Sequence, residues 1–187
     1  MRIVGGRWKG RALAPVGKGD EAARLRPTSD RVRESLFNHL EHGSYPSLED
    51  AVVLDLFAGT GALGLEALSR GAAHAVFVEK GRVALSILQR NLDLLDAHDM
   101  TSVLKDDAVK LRTRTGEIAQ FVFADPPYGR GLCEAALIAA SANGWLAEGA
   151  VAVLEDNTAV DAPPGFVQED VRQYGDTTIT VLTRIVG

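Results

Sequence analysis

The chain has 187 residues, 46% of them apolar and 24% charged. That length accommodates one compact domain with a small appendage, and the composition is that of an ordinary globular protein. Net charge is −5, yet residues 1–33 carry nine basic and three acidic side chains, a net +6, while the other 154 residues carry −11. A basic arm on an acidic body is an asymmetry the overall pI hides. The single cysteine, Cys133, excludes an internal disulfide and a cysteine-rich zinc site, and reads as a small apolar helix residue. No metal site is expected. The N-terminus has charges but no apolar core segment, so no secretory signal is expected. Apolar runs such as residues 51–58 are too short to span a bilayer. The expected location is the cytoplasm.

At the N-terminus, Ile3, Val4, Trp8, Ala12 and Leu13 around Gly5-Gly6 and Gly10 predict a small twisted hairpin. Residues 16–24 read as a polar loop. Thr28, Ser29 and Asp30 follow Pro27 and are good helix-start residues. Val32, Leu36 and Leu40 recur every fourth position, which predicts an amphipathic helix over 30–41. Arg31 and Arg33 flank its apolar stripe and face either solvent or a ligand. From residue 51 strands and helices alternate. Strands are expected at 52–57, 75–78, 101–105, 121–124 and 150–154. Helices are expected at 62–70, 81–95 and 132–142, the second burying Val83, Ile87 and Leu94. Residues 166–174 and 177–185 alternate like an antiparallel hairpin around Gly175-Asp176. This order predicts an α/β fold, a doubly wound and mostly parallel sheet with helices on both faces and an antiparallel C-terminal hairpin.

Gly59, Gly61 and Gly64 have G-x-G-x-x-G spacing between a predicted strand and a predicted helix. Such glycines permit a tight turn and close approach of a ligand to the backbone. Glu79 ends the second strand, where a carboxylate can accept both hydroxyls of a ribose. These features alone fit NAD or S-adenosylmethionine. Asp55 favours the latter, because a carboxylate in the loop repels a pyrophosphate and suits an ammonium and a sulfonium; its alternative role is to cap loop amides. Asp107 follows the third strand and, in preference to Asp106, can reach an adenine amino group; the alternative is that either aspartate is a helix N-cap.

Asp125-Pro126-Pro127-Tyr128 follows the fourth strand, where a loop lines the ligand crevice of such a sheet. At average composition this tetrapeptide occurs by chance in roughly one chain per thousand of this length. An exocyclic amine of a nucleobase is a poor nucleophile, because its lone pair is delocalised into the ring. Two acceptors that hold its hydrogens favour a tetrahedral, reactive nitrogen. The Asp125 carboxylate and the Pro126 carbonyl can be those acceptors. The two prolines present the carbonyl rigidly, and Tyr128 can stack on the base. The plain alternative is a surface turn built of good turn residues.

Asp-Leu-Phe-Ala-Gly-Thr-Gly at 55–61 with Asp-Pro-Pro-Tyr at 125–128 resembles the class I amino-methyltransferases. Segments 5–11, 25–38, 61–71 and 143–146 narrow the resemblance to the bacterial 16S ribosomal RNA guanine-N2 methyltransferases of the RsmD type, over nearly the whole chain. The resemblance implies a Rossmann-like class I methyltransferase domain at 43–187, preceded by a basic RNA-binding extension at 1–42. It implies S-adenosylmethionine as donor and 16S ribosomal RNA, in the small subunit or an assembly intermediate, as partner, with guanine 966 in standard RNA numbering as target. Carried onto this chain, Asp55, Phe57, Gly59, Gly61, Glu79, Asp107 and Ala108 bind cofactor. Asp125, Pro126, Pro127 and Tyr128 position the guanine. Arg7, Lys9, Arg11, Arg26, Arg31 and Arg33 hold RNA. A monomer is expected. The chain departs modestly from the family in a longer linker at 16–24, and position 128 varies between Phe and Tyr among members. The other readings are methylation of DNA adenine N6 or a protein glutamine, an NAD-dependent oxidoreductase, and a non-catalytic RNA-binding module.

Overall fold

The computed structural model describes residues 1–16 and 29–185. Most of the polar loop expected at 16–24, and Arg26, lie outside the described residues. Helix α1 spans Asp30–His42. The alternating body then runs β1 Val52–Leu56, α2 Ala62–Ser69, β2 His74–Val78, α3 Arg82–Leu95, β3 Thr101–Leu104, β4 Ala119–Ala124, α4 Leu132–Ala142, β5 Leu146–Asp156, β6 Phe166–Tyr174 and β7 Thr177–Arg184. The strands form one seven-stranded sheet in the order β3-β2-β1-β4-β5-β7-β6. Strands β1 to β5 are parallel, and β7 and β6 close the sheet as an antiparallel hairpin.

The period of two along each strand sorts the core into two layers. Val53, Phe77, Phe121, Phe123, Val151 and Val181 point to the face covered by Leu36, Phe37 and Leu40 of α1, Leu65 and Leu68 of α2, and Leu88 and Leu92 of α3. Leu54, Leu56, Val76, Val122, Ala152 and Leu154 point to the other face, against Cys133, Ala136, Leu137 and Ala140 of α4. Cys133 is 1% exposed and serves as the small apolar helix residue its neighbours require. Among the described residues no helix is long and apolar enough to cross a membrane.

Four expectations are corrected. The N-terminal hairpin reduces to one antiparallel bridge, Arg2 to Ala12, around a 3-10 turn at Gly6–Trp8. Backbone bonds from Ile3 N–H to the Arg11 carbonyl (2.9 Å) and from Leu13 N–H to the Met1 carbonyl (3.1 Å) hold it closed. Strand β5 begins at Leu146 rather than 150, because a bulge containing Gly149 at φ 72° absorbs the extra residues before the ladder with β4 resumes. Val83 and Leu94 are 40% and 51% exposed. The buried stripe of α3 is Ala84, Ile87, Leu88, Asn91, Leu92 and Leu95, and Val83 and Leu94 fall to its sides. The polar Asn91 at its centre disguises that stripe in the sequence.

The fourth correction concerns Arg33, expected to hold RNA. Its side chain is fully buried, with Nε 3.4 Å from Glu66 and Nη2 3.0 Å from Asp30, and it donates to the Arg2 carbonyl. A guanidinium so placed cannot reach a phosphate. It fastens the N-terminal arm and α1 onto α2. Glu66, itself fully buried, accepts from Val4 N–H (2.9 Å), Arg33 and Arg70 Nε (2.9 Å). Removing Arg33 takes one of its two cationic partners from the buried Glu66 and leaves the Arg2 carbonyl without the guanidinium that satisfies it. Arg33→Ala should therefore cost about 3–5 kcal/mol in denaturant unfolding, whereas Arg31→Ala on the exposed side of the same helix should leave the midpoint almost unchanged. Equal, small effects would contradict the buried role.

Candidate functional site

The chain leaves β1 at its carboxyl end through Phe57, which adopts φ 60°. A left-handed conformation costs a non-glycine residue roughly 1–2 kcal/mol, and such outliers cluster at functional sites. Gly61 follows at φ 80° and caps α2; a β-carbon there would lie 2.4 Å from Leu88 Cδ1. Gly64 lets α2 press onto the sheet, where a β-carbon would meet Phe77 Cε1 at 2.4 Å. With Gly59 at φ 57°, all three glycines of the motif are thus demanded by backbone conformation or close packing.

Carboxylates from the neighbouring strand ends organise this loop. Glu79, just past β2, accepts from Gly59 N–H (2.9 Å), Lys80 N–H (2.9 Å) and Gly81 N–H (2.7 Å), tying two loops together. Asp107, past β3, accepts from Val109 N–H at 3.3 Å and pairs with Lys80 Nζ at 3.0 Å. It therefore caps the short turn that follows while also facing the crevice. The Arg112 guanidinium, 3.0 Å away, holds the Asp106 carboxyl below its ordinary range. Asp55 is 2% exposed, and its Oδ2 accepts from Gly64 N–H at 2.9 Å. Burial pushes its carboxyl up to about 8; the Gly64 bond opposes this and the nearby Glu79 charge adds to it.

A crevice of about 670 Å³ opens at the carboxyl edge of the sheet, within the range of small-molecule sites. Asp55, Phe57 and Gly59 line it from β1 and its loop, and Glu79, Asp107 and Ala108 from β2 and β3. Asp125, Pro126, Pro127 and Tyr128 line it from β4. Gly61, also expected at the cofactor, caps α2 and is not among the residues that line the crevice. Asp106, the alternative to Asp107, also lines it, as do Lys80, Arg82 and Val83; these last three stand beside predicted residues, and that adjacency is the only signal for them. Pro126 is buried and Pro127 exposed. The Tyr128 hydroxyl donates to Glu155 Oε1 at 2.7 Å and lies 2.9 Å from Thr177 Oγ1. Burial, with the Glu155 and Asp125 charges, raises the phenol above its ordinary range, against the opposing Thr177 hydrogen bond.

Arg7, Lys9, Arg11 and Arg31 are exposed. The Arg7 guanidinium carbon lies 4.2 Å from the Trp8 ring centroid, and Arg11 Nη1 donates to the Leu94 carbonyl at 3.4 Å. Nothing in the residue pattern signals how the arm is fastened. Asn91, fully buried, accepts from Ala14 N–H at 2.6 Å and donates to the Thr60 carbonyl of the glycine loop at 2.8 Å. Ser69 Oγ donates to the Gly5 carbonyl at 2.6 Å and accepts from Trp8 N–H at 3.0 Å.

A five-stranded parallel sheet closed by an antiparallel hairpin, with a glycine loop after β1 and an acidic residue after β2, is the fold of the class I methyltransferases. The chain belongs to the family described as Conserved hypothetical protein 95, which it matches over residues 1–183, and is of the RsmD type. It is 44% identical over 163 residues to Ribosomal RNA small subunit methyltransferase D of Escherichia coli strain K12, covering 87% of this chain and 78% of that protein. It is 36% identical over 166 residues to the protein of the same name in Haemophilus influenzae, covering 87% and 81%. The structure of the Escherichia coli protein yhhF superposes with a TM-score of 0.83 at 37% identity, over 99% of this chain and 98% of that one. An RNA methyltransferase from Salinibacter ruber in complex with S-adenosyl-L-homocysteine shares the fold at 15% identity (TM-score 0.63, 85% and 94% covered).

The raised Asp55 carboxyl has a consequence for stability. An unfolded aspartate titrates near 3.9, whereas the folded one holds its proton up to about 8. Between those values the folded state binds the extra proton, so this group's contribution weakens as pH rises. Asp55→Asn removes the titration, and its oxygen can still accept from Gly64. The stability of the variant relative to the wild type should therefore increase from pH 5 to pH 8 in urea unfolding. A pH-independent difference would contradict the assignment.

Proposed function

We propose that the chain transfers a methyl group from S-adenosylmethionine to the exocyclic N2 of a guanine in 16S ribosomal RNA, guanine 966 by family resemblance, within the small subunit or an assembly intermediate. The observation that carries this reading is that Asp125-Pro126-Pro127-Tyr128 shares one crevice with the glycine loop, Glu79 and Asp107. The names of the relatives supply the RNA, and the residues supply the chemistry. The protein would work in the cytoplasm as a monomer.

The residues present fit the cofactor. The positive-φ glycine turn leaves backbone without side chains at the crevice. Glu79 would hold the ribose, Asp107 and Ala108 the adenine end, and Asp55 with Phe57 and Gly59 the methionine end. When bound, S-adenosylmethionine supplies an electrophilic methyl group on a sulfonium. The Asp125 carboxylate and the Pro126 carbonyl accept the hydrogens of the guanine amine and turn its lone pair toward that methyl. Tyr128 stacks on the base, which must be flipped out or unpaired to enter. Holding the reacting atoms in line supplies most of the catalysis such a transfer needs. Arg7, Lys9, Arg11 and Arg31, with Arg26, contact RNA phosphates on this reading; Arg33 does not.

Asp125→Ala should abolish methylation of small subunits while cofactor affinity stays nearly unchanged. Activity within about threefold of wild type, a loss well under the 1.4 kcal/mol of a tenfold change, would remove Asp125 from this role. Replacing Arg7, Lys9, Arg11 and Arg31 by alanine should weaken small-subunit binding and flatten its salt dependence, because each lost phosphate contact lowers the slope by about one. An unchanged slope would return these residues to a solvated surface.

A further inference from the structure

Strand β5 pairs with β4 in register, Leu154 opposite Ala124, so the two residues that follow Leu154 lie against the loop that carries Asp125 to Tyr128. Those residues are Glu155 and Asp156, only 5% and 6% exposed. Asp156 Oδ1 accepts from Gly129 N–H at 2.9 Å and fixes the loop backbone one residue past Tyr128. Glu155 Oε1 accepts the Tyr128 hydroxyl hydrogen at 2.7 Å, and Thr177 at the start of β7 lies 2.9 Å from the same hydroxyl. Tyr128 is therefore held near its backbone by one carboxylate and at its hydroxyl by another. A hydroxyl-to-carboxylate bond is among the stronger hydrogen bonds of a protein, and here it is largely sheltered from water.

An aromatic side chain has two torsions, and a hydroxyl anchored at the far end removes the freedom of both. The carboxylate that does so comes from the neighbouring strand, and Tyr128 stands between it and the crevice. We propose that Glu155 is a positioning residue for the methyl acceptor, fixing through the Tyr128 hydroxyl the plane on which the target base stacks, with Thr177 as its second support. The inference rests on the methyl-transfer reading above and adds to it a residue that touches neither cofactor nor base. The raised phenol is consistent with it, since Tyr128 remains a hydrogen-bond donor at every pH at which the protein works.

The test is a steady-state comparison on small ribosomal subunits, with cofactor affinity and thermal midpoint measured on the same variants. Glu155→Ala is expected to lower kcat/KM for RNA by about tenfold or more and to leave the dissociation constant for S-adenosylmethionine within about twofold of wild type. Glu155→Gln, whose amide oxygen still accepts the phenol hydrogen, should recover most of the loss. Tyr128→Phe removes the donor and should match Glu155→Ala, and the double variant should be no worse than the poorer single, because both cut one link. Thr177→Val, a milder change on β7, should give a smaller loss in the same direction. Additive losses in the double variant, or a Glu155→Ala protein as active as wild type, would overturn the proposal. A loss that merely tracks cofactor affinity and thermal midpoint would do the same. A wild-type protein that transfers no methyl to RNA would bring down the methyl-transfer reading itself, and this inference with it.

Discussion

Everything at the site depends on where the sheet reverses its order. The chain builds β1, steps outward through β2 to β3, and returns to lay β4 on the other side of β1. The connection after β1 runs into α2 on one face, and the connection after β4 runs into α4 on the opposite face. The two loops must part, and parallel strands bring their carboxyl ends to the same edge. Phe57, Glu79, Asp107, Asp125 and Glu155 each stand at the end of a different parallel strand, β1 through β5, and hydrogen-bonded register rather than chain proximity assembles them. Glu79 then ties the β1 and β2 loops together by accepting from the Gly59 amide.

A second constraint joins the basic arm to this edge. A carboxylate with no exposure must be fully partnered, and Glu66 finds its partners in Val4, Arg33 and Arg70. Two of the three belong to the N-terminal extension. Glu66 lies on α2, the helix that the glycine loop begins, and Asn91 bridges Ala14 to Thr60 within that loop. The surface that carries Arg7, Lys9 and Arg11 is thereby fastened to the helix and loop that border the crevice. Such pairs add little stability over a well-packed apolar alternative, but they allow only one seating of the arm. Ile3, Leu13, Leu36 and Phe37 pack in the same apolar cluster as Val53 and Phe123, so the extension and the body share one core.

How much of this was legible depended on whether a residue advertised its environment. The unbroken apolar run of β1, the glycine spacing and the Asp-Pro-Pro-Tyr segment did so, and α4 runs from 132 to 142 as its pattern predicts. Arg33, Glu66 and Asn91 did not, because a charged or amide side chain on an amphipathic helix reads as solvent-facing unless its partner is known. Apart from Asp30 beside Arg33 and Arg70 beside Glu66, those partners lie between 31 and 77 residues away along the chain. Glu155 was hidden for a different reason: β5 extends to Asp156, beyond the apolar run that marks it. Asp55 caps the Gly64 amide, as one of its two expected roles requires, and it also lines the crevice.

On the proposed reading, one crevice brings a methyl donor to a guanine amine in small-subunit RNA. The most direct measurement incubates the purified protein with methyl-labelled S-adenosylmethionine and small ribosomal subunits from cells lacking the endogenous enzyme, then resolves the nucleosides. Label is expected in N2-methylguanosine. Label absent from RNA while the cofactor is bound, or label appearing instead in DNA adenine or a protein amide, would contradict that reading.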